Sequence, residues 1–376
     1  MAPQAAAASL PSIGEATASY EAWLGRRIAI VTADLAFKHE QMTVGSFPFL
    51  RSTFYRWAQV FPVRCPELRQ APQVLSVGDL HIENFGTWRD AEGRLIWGVN
   101  DVDEAWSLPY TNDLVRLMTS VRLAIDGGSI RITARRAASA VLEGYTDHLR
   151  RRGRPFVLAE EHRVLRDEAE SELRDPVAFW TRFRALPKAV RPPRTAATLL
   201  AETMPHGSAF VLAHRRAGLG SLGHPRIVAW GAHDGGLVAR EAKRMAPSAC
   251  AWAAGARGPA PLHYDVLLRG AVRCPDPLLL PRGEWLVRRL APDCSRIEFM
   301  TVRTKSGQVE LLRAMGAETA NLHLGASPRR VAEVLADLGT RPADWLHRAA
   351  RVMAVATLAD FGEWKRISAQ ALQHRQ

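Results

Sequence analysis

Apolar positions recur along this chain with two different periods, and the change of period divides it. In the first half the repeat is helical. Leu24, Ile28, Val31 and Leu35 lie three or four apart and predict one apolar helix face, broken at Phe47-Pro48-Phe49-Leu50 before a second short helix to Trp57. Leu114, Leu117, Met118, Val121 and Ile125 predict another helix, capped by Thr111-Asn112-Asp113 after Pro109. Beyond the Gly127-Gly128 break, helices are expected over Ile130 to Arg151, Glu160 to Arg174 and Pro176 to Ala185. One strand interrupts this half, Gly93 to Asp101, with a turn at Asp90 to Gly93 leading into it.

Pro187 to Pro193, basic and proline-rich, reads as a linker, and past it the period falls to two. Strands are expected at Ala209 to His214, Arg226 to Trp230, Leu237 to Ala242 and Trp285 to Leu290, where Arg288 and Arg289, with Asp293 and Arg296 nearby, could contact ligand but are expected to form exposed pairs. Helices return at Glu310 to Leu324, Pro328 to Leu338 and Pro342 to Ser368. The predicted fold is α+β. It has an Ala-rich disordered tail (1–19), a helical lobe (20–190), a β-rich lobe (191–305) and terminal helices (306–376) that complete the helical lobe.

With 376 residues, 47% of them hydrophobic and 23% charged, the chain can bury a core of about two domains. It has no run of some 18 apolar residues to span a membrane, and its first 19 residues lack the basic start of a secretory leader. Cys65, Cys250, Cys274 and Cys294 are too far apart for a disulfide framework or zinc knuckle, so a cytoplasmic protein is expected. The net charge of +12 could suit nucleic acid, but the basic residues (Arg135, Arg136, Arg150 to Arg152, Arg329, Arg330) spread over helix faces without interleaved aromatics, which argues against it.

The candidate chemistry sits in VGDLHIENFGTWRDAEGRLIWGVNDVD, residues 77–103. Asp79 and Asn84 have the D-x-x-x-x-N spacing of a phosphotransferase catalytic loop, and Asp101 follows after one predicted strand. A carboxylate there can orient the attacking hydroxyl, while an amide oxygen and a second carboxylate suit Mg²⁺, which prefers oxygen donors. Asp103 is a second metal contact or a cap; His81 and Glu83 shape the loop. By its position alone Asp113 is a helix cap. Gly218-Leu219-Gly220-Ser221-Leu222-Gly223 is a full G-x-G-x-x-G, weak evidence alone, but strands on both sides favour a phosphate-covering hairpin over a dinucleotide fold. On the following strand either Lys243, a point charge, or Arg240 can neutralise phosphates.

GDLHIENFG, VNDVDE and PYTNDLVRL together resemble the bacterial domain-of-unknown-function 2252 family, itself similar to protein-kinase-like and aminoglycoside-phosphotransferase-like proteins. Further matches at Phe37 to Arg51, Arg240 to Ala249, Arg288 to Glu298 and Ala314 to Gly325 extend the resemblance over most of the chain, and bring Lys38, His39 and Arg51 into the signature. The resemblance implies a two-lobed kinase-like fold, ATP and Mg²⁺ as cofactors, an unidentified hydroxyl acceptor, and for Asp113 the alternative role of accepting hydrogen bonds from the catalytic-loop backbone. In kinases the glycine loop precedes the catalytic Asp; here Asp79 comes first, so a circularly permuted order is implied. A nucleotide-sensing pseudoenzyme and an AMP transferase are the alternatives, the first motivated by Arg240 standing where relatives carry Lys.

Overall fold

The computed structural model describes residues 10–158, 162, 165–167, 175–294, 302 and 304–373. The charged helix expected over Glu160 to Arg174 lies largely outside the described residues. The fold is mixed α/β with antiparallel sheets. Strands β1 (Gln73–Ser76) and β4 (Trp106–Pro109) form a pair; β2 (Phe85–Arg89), β3 (Leu95–Val99) and β5 (Phe156–Val157) form a second sheet. Strands β6 (Ala209–His214), β7 (Arg226–His233), β8 (Gly236–Arg244), β9 (Leu280–Arg282) and β10 (Trp285–Leu290) form the third, in the order β6-β7-β8-β10-β9.

The disordered tail expected over residues 1–19 is corrected where it is described: a helix starts at Ile13 and runs to Gly25. Ser12 accepts the Glu15 amide while the Glu15 carboxylate takes the Ser12 amide, a reciprocal cap that satisfies two otherwise orphaned donors, and Ile13, Ala16 and Thr17 are buried. The break expected at Phe47 to Leu50 is itself helical (Ser46–Ser52). Pro48 stands in the first turn of that helix, where a missing N–H costs nothing. The interruptions fall instead at Gly45 and Thr53, the residues that flank it.

A large core joins the helices 13–25, 54–64, 111–126, 134–150, 305–323 and 345–373. Helices 134–150 and 305–323 cross so closely that a Cβ on Gly144 would collide with the Arg313 carbonyl oxygen, and one on Gly316 with that of Val141. The first and last helices also touch: a Cβ on Gly14 would lie 3.1 Å from Ile367 Cδ1. Nearby, Arg56 holds Asp360 through two hydrogen bonds of 2.8 and 2.9 Å.

The five-stranded sheet has an apolar cluster on each face. Ala196 and Leu200 of helix 194–203 pack with Ile227, Ala229, Ala242 and Val287; Phe183 of helix 176–184 packs with Val228, Ala239 and Leu290. Helix 176–184 therefore packs with the sheet, whereas helices 249–253 and 264–270, within the stretch expected to be β-rich, bury their apolar residues in the large core. The Pro187 to Pro193 linker adds an edge to the sheet through a Lys188 bridge to Ala213.

Candidate active site

The pair β1–β4 ends at Ser76 opposite Trp106, and between these residues the chain makes a closed excursion. Asp79 lies just past one end and Asp103 just before the other, so the pairing alone brings them together. The β2–β3 hairpin pairs Phe85 with Val99, and the Asn100 amide donates to the Asn84 carbonyl at 3.0 Å. Asn84 thus comes beside Asp101, whose carbonyl accepts from Asn84 Nδ2 at 3.3 Å. Gly78 makes the turn at φ +81°, and a Cβ there would sit 2.5 Å from the Glu104 carbonyl oxygen.

Helix 111–126 anchors this loop. The Val77 and Gly78 amides donate to the two carboxylate oxygens of Asp113 at 2.7 and 3.0 Å. His323 Nε2 is 3.1 Å from Asp113, and the Tyr145 hydroxyl is 2.8 Å from His323 Nδ1. Asn112 bonds the Gly78 carbonyl and accepts from the Trp57 indole N–H. Asp113 is therefore a support for the loop and not a cap: Thr111, Asn112 and Asp113 already lie inside the helix, which receives no side-chain cap hydrogen bond. His81 Nδ1 accepts the Glu83 amide at 3.2 Å and Glu83 pairs with Arg51 at 2.6 Å, so both shape the same loop.

Asp79 accepts from Arg116 Nε at 2.7 Å and from Arg116 Nη2. Arg116 is fully buried against the Phe54 and Trp57 rings, with Nη2 also on the Leu50 carbonyl. Burial pushes the Asp79 carboxyl up to about 6 even against the Arg116 charge. Glu104, its neighbour in the cavity, is pushed up to about 7, again chiefly by burial. The glycine loop lies directly above: a Cβ on Gly220 would be 3.2 Å from Asp79 Oδ2, and Lys38 Nζ donates to the Gly220 carbonyl at 3.1 Å. Gly218 and Gly223 take φ of +74° and +97°, which a side chain would strain.

Lys243 is 3% exposed and its ammonium pairs with Asp103 and, at 3.8 Å, with Asp101. Burial pulls it down to about 8 against the pull of Asp101. Arg240, the rival cation, does not join them: its Nη1 donates to the Ala239 carbonyl, because alternation along β8 sends it away from the Glu241 and Lys243 face. On that face Glu241, 0% exposed, accepts from Arg226 at 2.6 Å, from Arg288 at 2.8 Å and from Arg215. These three guanidinium groups hold its carboxyl far below the usual range. Arg226 Nη2 also donates to Ser221 of the glycine loop at 3.0 Å. Arg288, expected in an exposed pair, is instead bound to a buried carboxylate.

Asp79, Asn84, Asp101, Asp103, His81, Glu83, Gly218, Gly220 and Ser221 all line one cavity of about 200 Å³.

 Asp79 and Ser221 stand 142 positions apart in the chain (221 − 79), yet they face the same space. Lys38, Arg51, Glu104, Arg215, Arg226 and Arg288 line it as well. Arg116, Glu104, Glu241, Arg215 and Arg226 are site residues that sequence reasoning missed. The signal for Arg116 was an arginine on the helix turn after Asp113, in a stretch otherwise apolar; Glu241 gave none.

The oxygen donors fit a hard cation in kind, and Asp103 Oδ1 is buried without a hydrogen-bond partner, which leaves it available to one. Among the described residues no group of three His, Cys, Asp or Glu side chains is assembled for a metal, so Asn84 would have to complete the set. All four cysteines are free thiols, and no described helix is long and apolar enough to cross a membrane.

No curated protein and no solved structure matches this chain. Residues 30–180, which carry Asp79, Asn84, Asp101, Asp103, Asp113 and Arg116 but stop short of the glycine loop, match the family described as an uncharacterized protein conserved in bacteria, DUF2252.

Proposed function

We propose that this protein is an ATP- and Mg²⁺-dependent phosphotransferase of the kinase-like type, acting on a hydroxyl acceptor. The observation that carries the reading is the placement of the 218–223 glycine loop directly over Asp79, with Asp101, Asp103 and Lys243 beside them. Kinases lay a glycine-rich hairpin over the nucleotide phosphates, put a lysine on the third strand of that sheet, and place a catalytic Asp, an Asn and a metal-binding Asp below. Strands β6, β7 and β8, the 79–84 loop and Asp101 follow that plan in the reverse lobe order, which supports a circularly permuted kinase-like fold.

In this reading Asp79, raised in pKa by burial and held by Arg116, orients the acceptor hydroxyl and takes its proton. The glycine-loop amides and Lys243 steady the phosphates. Asn84, Asp101 and Asp103 would hold the Mg²⁺, which when bound would neutralise phosphate charge. Asp113 keeps the loop in place through the Val77 and Gly78 amides.

Calorimetry with Mg²⁺ and a non-hydrolysable ATP analogue is expected to show binding, and labelled ATP is expected to release phosphate or pass it to an acceptor. Asp79→Asn should keep the binding and lose turnover by about 10²- to 10⁴-fold. Absence of magnesium-dependent nucleotide uptake would sink the proposal. A second reading, a nucleotide sensor without turnover, draws on the pairing of Lys243 with both metal-side carboxylates; it predicts binding with no phosphate release by wild type. Product mass separates a gain of phosphate from a gain of AMP, the outcome that would make it a nucleotidyl transferase.

A further inference from the structure

Lys243 is an incomplete answer to the question of what holds the phosphates. Its ammonium is already engaged by Asp103 and Asp101. On the cavity wall, which Lys38 and Arg51 also line, stand Arg215, Arg226 and Arg288, three guanidinium groups gathered on the single carboxylate of Glu241. Three positive charges against one negative leave an excess. Adding Lys243, Asp101 and Asp103 makes four positive against three negative, still in excess, on a wall that the glycine loop closes.

Like charges held this close are costly unless an anion joins them. Glu241 takes only one or two donors from each arginine, so the rest of each fork is left for other acceptors. Arg226 is also tied to Ser221, which fixes the cluster to the glycine loop. A planar guanidinium whose orientation is set in advance suits phosphate oxygens better than a mobile ammonium does.

We infer that Arg215, Arg226 and Arg288, oriented by Glu241, form a polyphosphate seat that takes the triphosphate tail of the nucleotide. The identity of the ligand as a nucleotide rests on the phosphotransferase reading; the anion seat itself does not. Lys243, engaged by the two aspartates, then shares the steadying of the phosphates with these arginines.

The test uses the full chain, with inorganic tripolyphosphate in the absence of metal, the Mg²⁺ complex of the ATP analogue, and adenosine as separate probes in calorimetry. Arg215 and Arg288 have side chains 27% and 26% exposed, so Arg215→Ala and Arg288→Ala are the variants least damaging to the fold, and melting curves check each. Each is expected to weaken tripolyphosphate and the ATP analogue by about tenfold or more while adenosine affinity stays unchanged. Unchanged tripolyphosphate affinity in both variants, an equal loss for adenosine, or no tripolyphosphate binding by wild type would each overturn the seat. Wild type that binds tripolyphosphate through these arginines but takes up no ATP analogue would uphold the seat and remove the phosphotransferase reading.

Discussion

A carboxylate beside a guanidinium ordinarily titrates low, yet Asp79 is raised to about 6, because its removal from water outweighs the Arg116 charge. Its base form is the ionised one, so activity should climb as pH rises through about 6. Lys243, lowered to about 8, loses its charge above that value. The profile of kcat/KM is therefore expected to be bell-shaped with flanks near those two values, and Lys243→Arg should remove the alkaline flank. An unchanged alkaline flank in that variant would show that another group sets it. Glu104 makes a stability prediction. Its folded pKa, about 7, lies above the unfolded value, so its contribution is present in full below about 4.5 and is lost as pH rises through 7. Glu104→Gln, neutral at every pH, should raise urea stability by roughly 1–2 kcal/mol at pH 8 and by less at pH 5. At this scale the sequence was legible where residues act through local spacing: Asp79, Asn84 and Asp101 came from one motif. Arg116 and Glu241 were not, because their partners lie 37 and 15 to 47 positions away and only folding brings them together.

At the scale of elements, periodicity found helices 111–126, 134–150, 305–323 and 345–373 and the glycine hairpin to within about five residues, but the single helix face expected from Leu24 to Leu35 is split, since one helix ends at Gly25 and the next starts at Thr32. Helix 13–25 was missed because its alanines were taken as a sign of disorder, although Ser12 and Glu15 already spelled its cap. The β1–β4 pair was missed for a different reason. Each strand has four residues, too few for a period to show, and their pairing is what closes the excursion from Asp79 to Asp103. The contact of helices 134–150 and 305–323 has its own test. Gly144→Ala would force a Cβ against the Arg313 carbonyl oxygen, and neither helix can yield without disturbing the loop support at His323. The variant is expected to lose about 3 kcal/mol or more in urea unfolding. A loss under about 1 kcal/mol would mean that the helices slide apart freely.

At the scale of the molecule, the change from helical to strand periodicity near residue 190 precedes the five-stranded sheet, but composition could not assign the short helices around it. Helix 176–184 follows the sheet and helices 249–253 and 264–270 follow the large core, because each goes where its apolar side chains find a surface. The contact of the first helix with the last, at Gly14 and Ile367, carries one more consequence. A flexible tether could splice these two ends, and a new opening cut between Leu186 and Arg194 would then hand the ribosome the glycine hairpin before Asp79. Such a rewired chain should melt as one cooperative unit and take up the same ligands as the parent, since the order of synthesis would change while every neighbour in space stayed where it is.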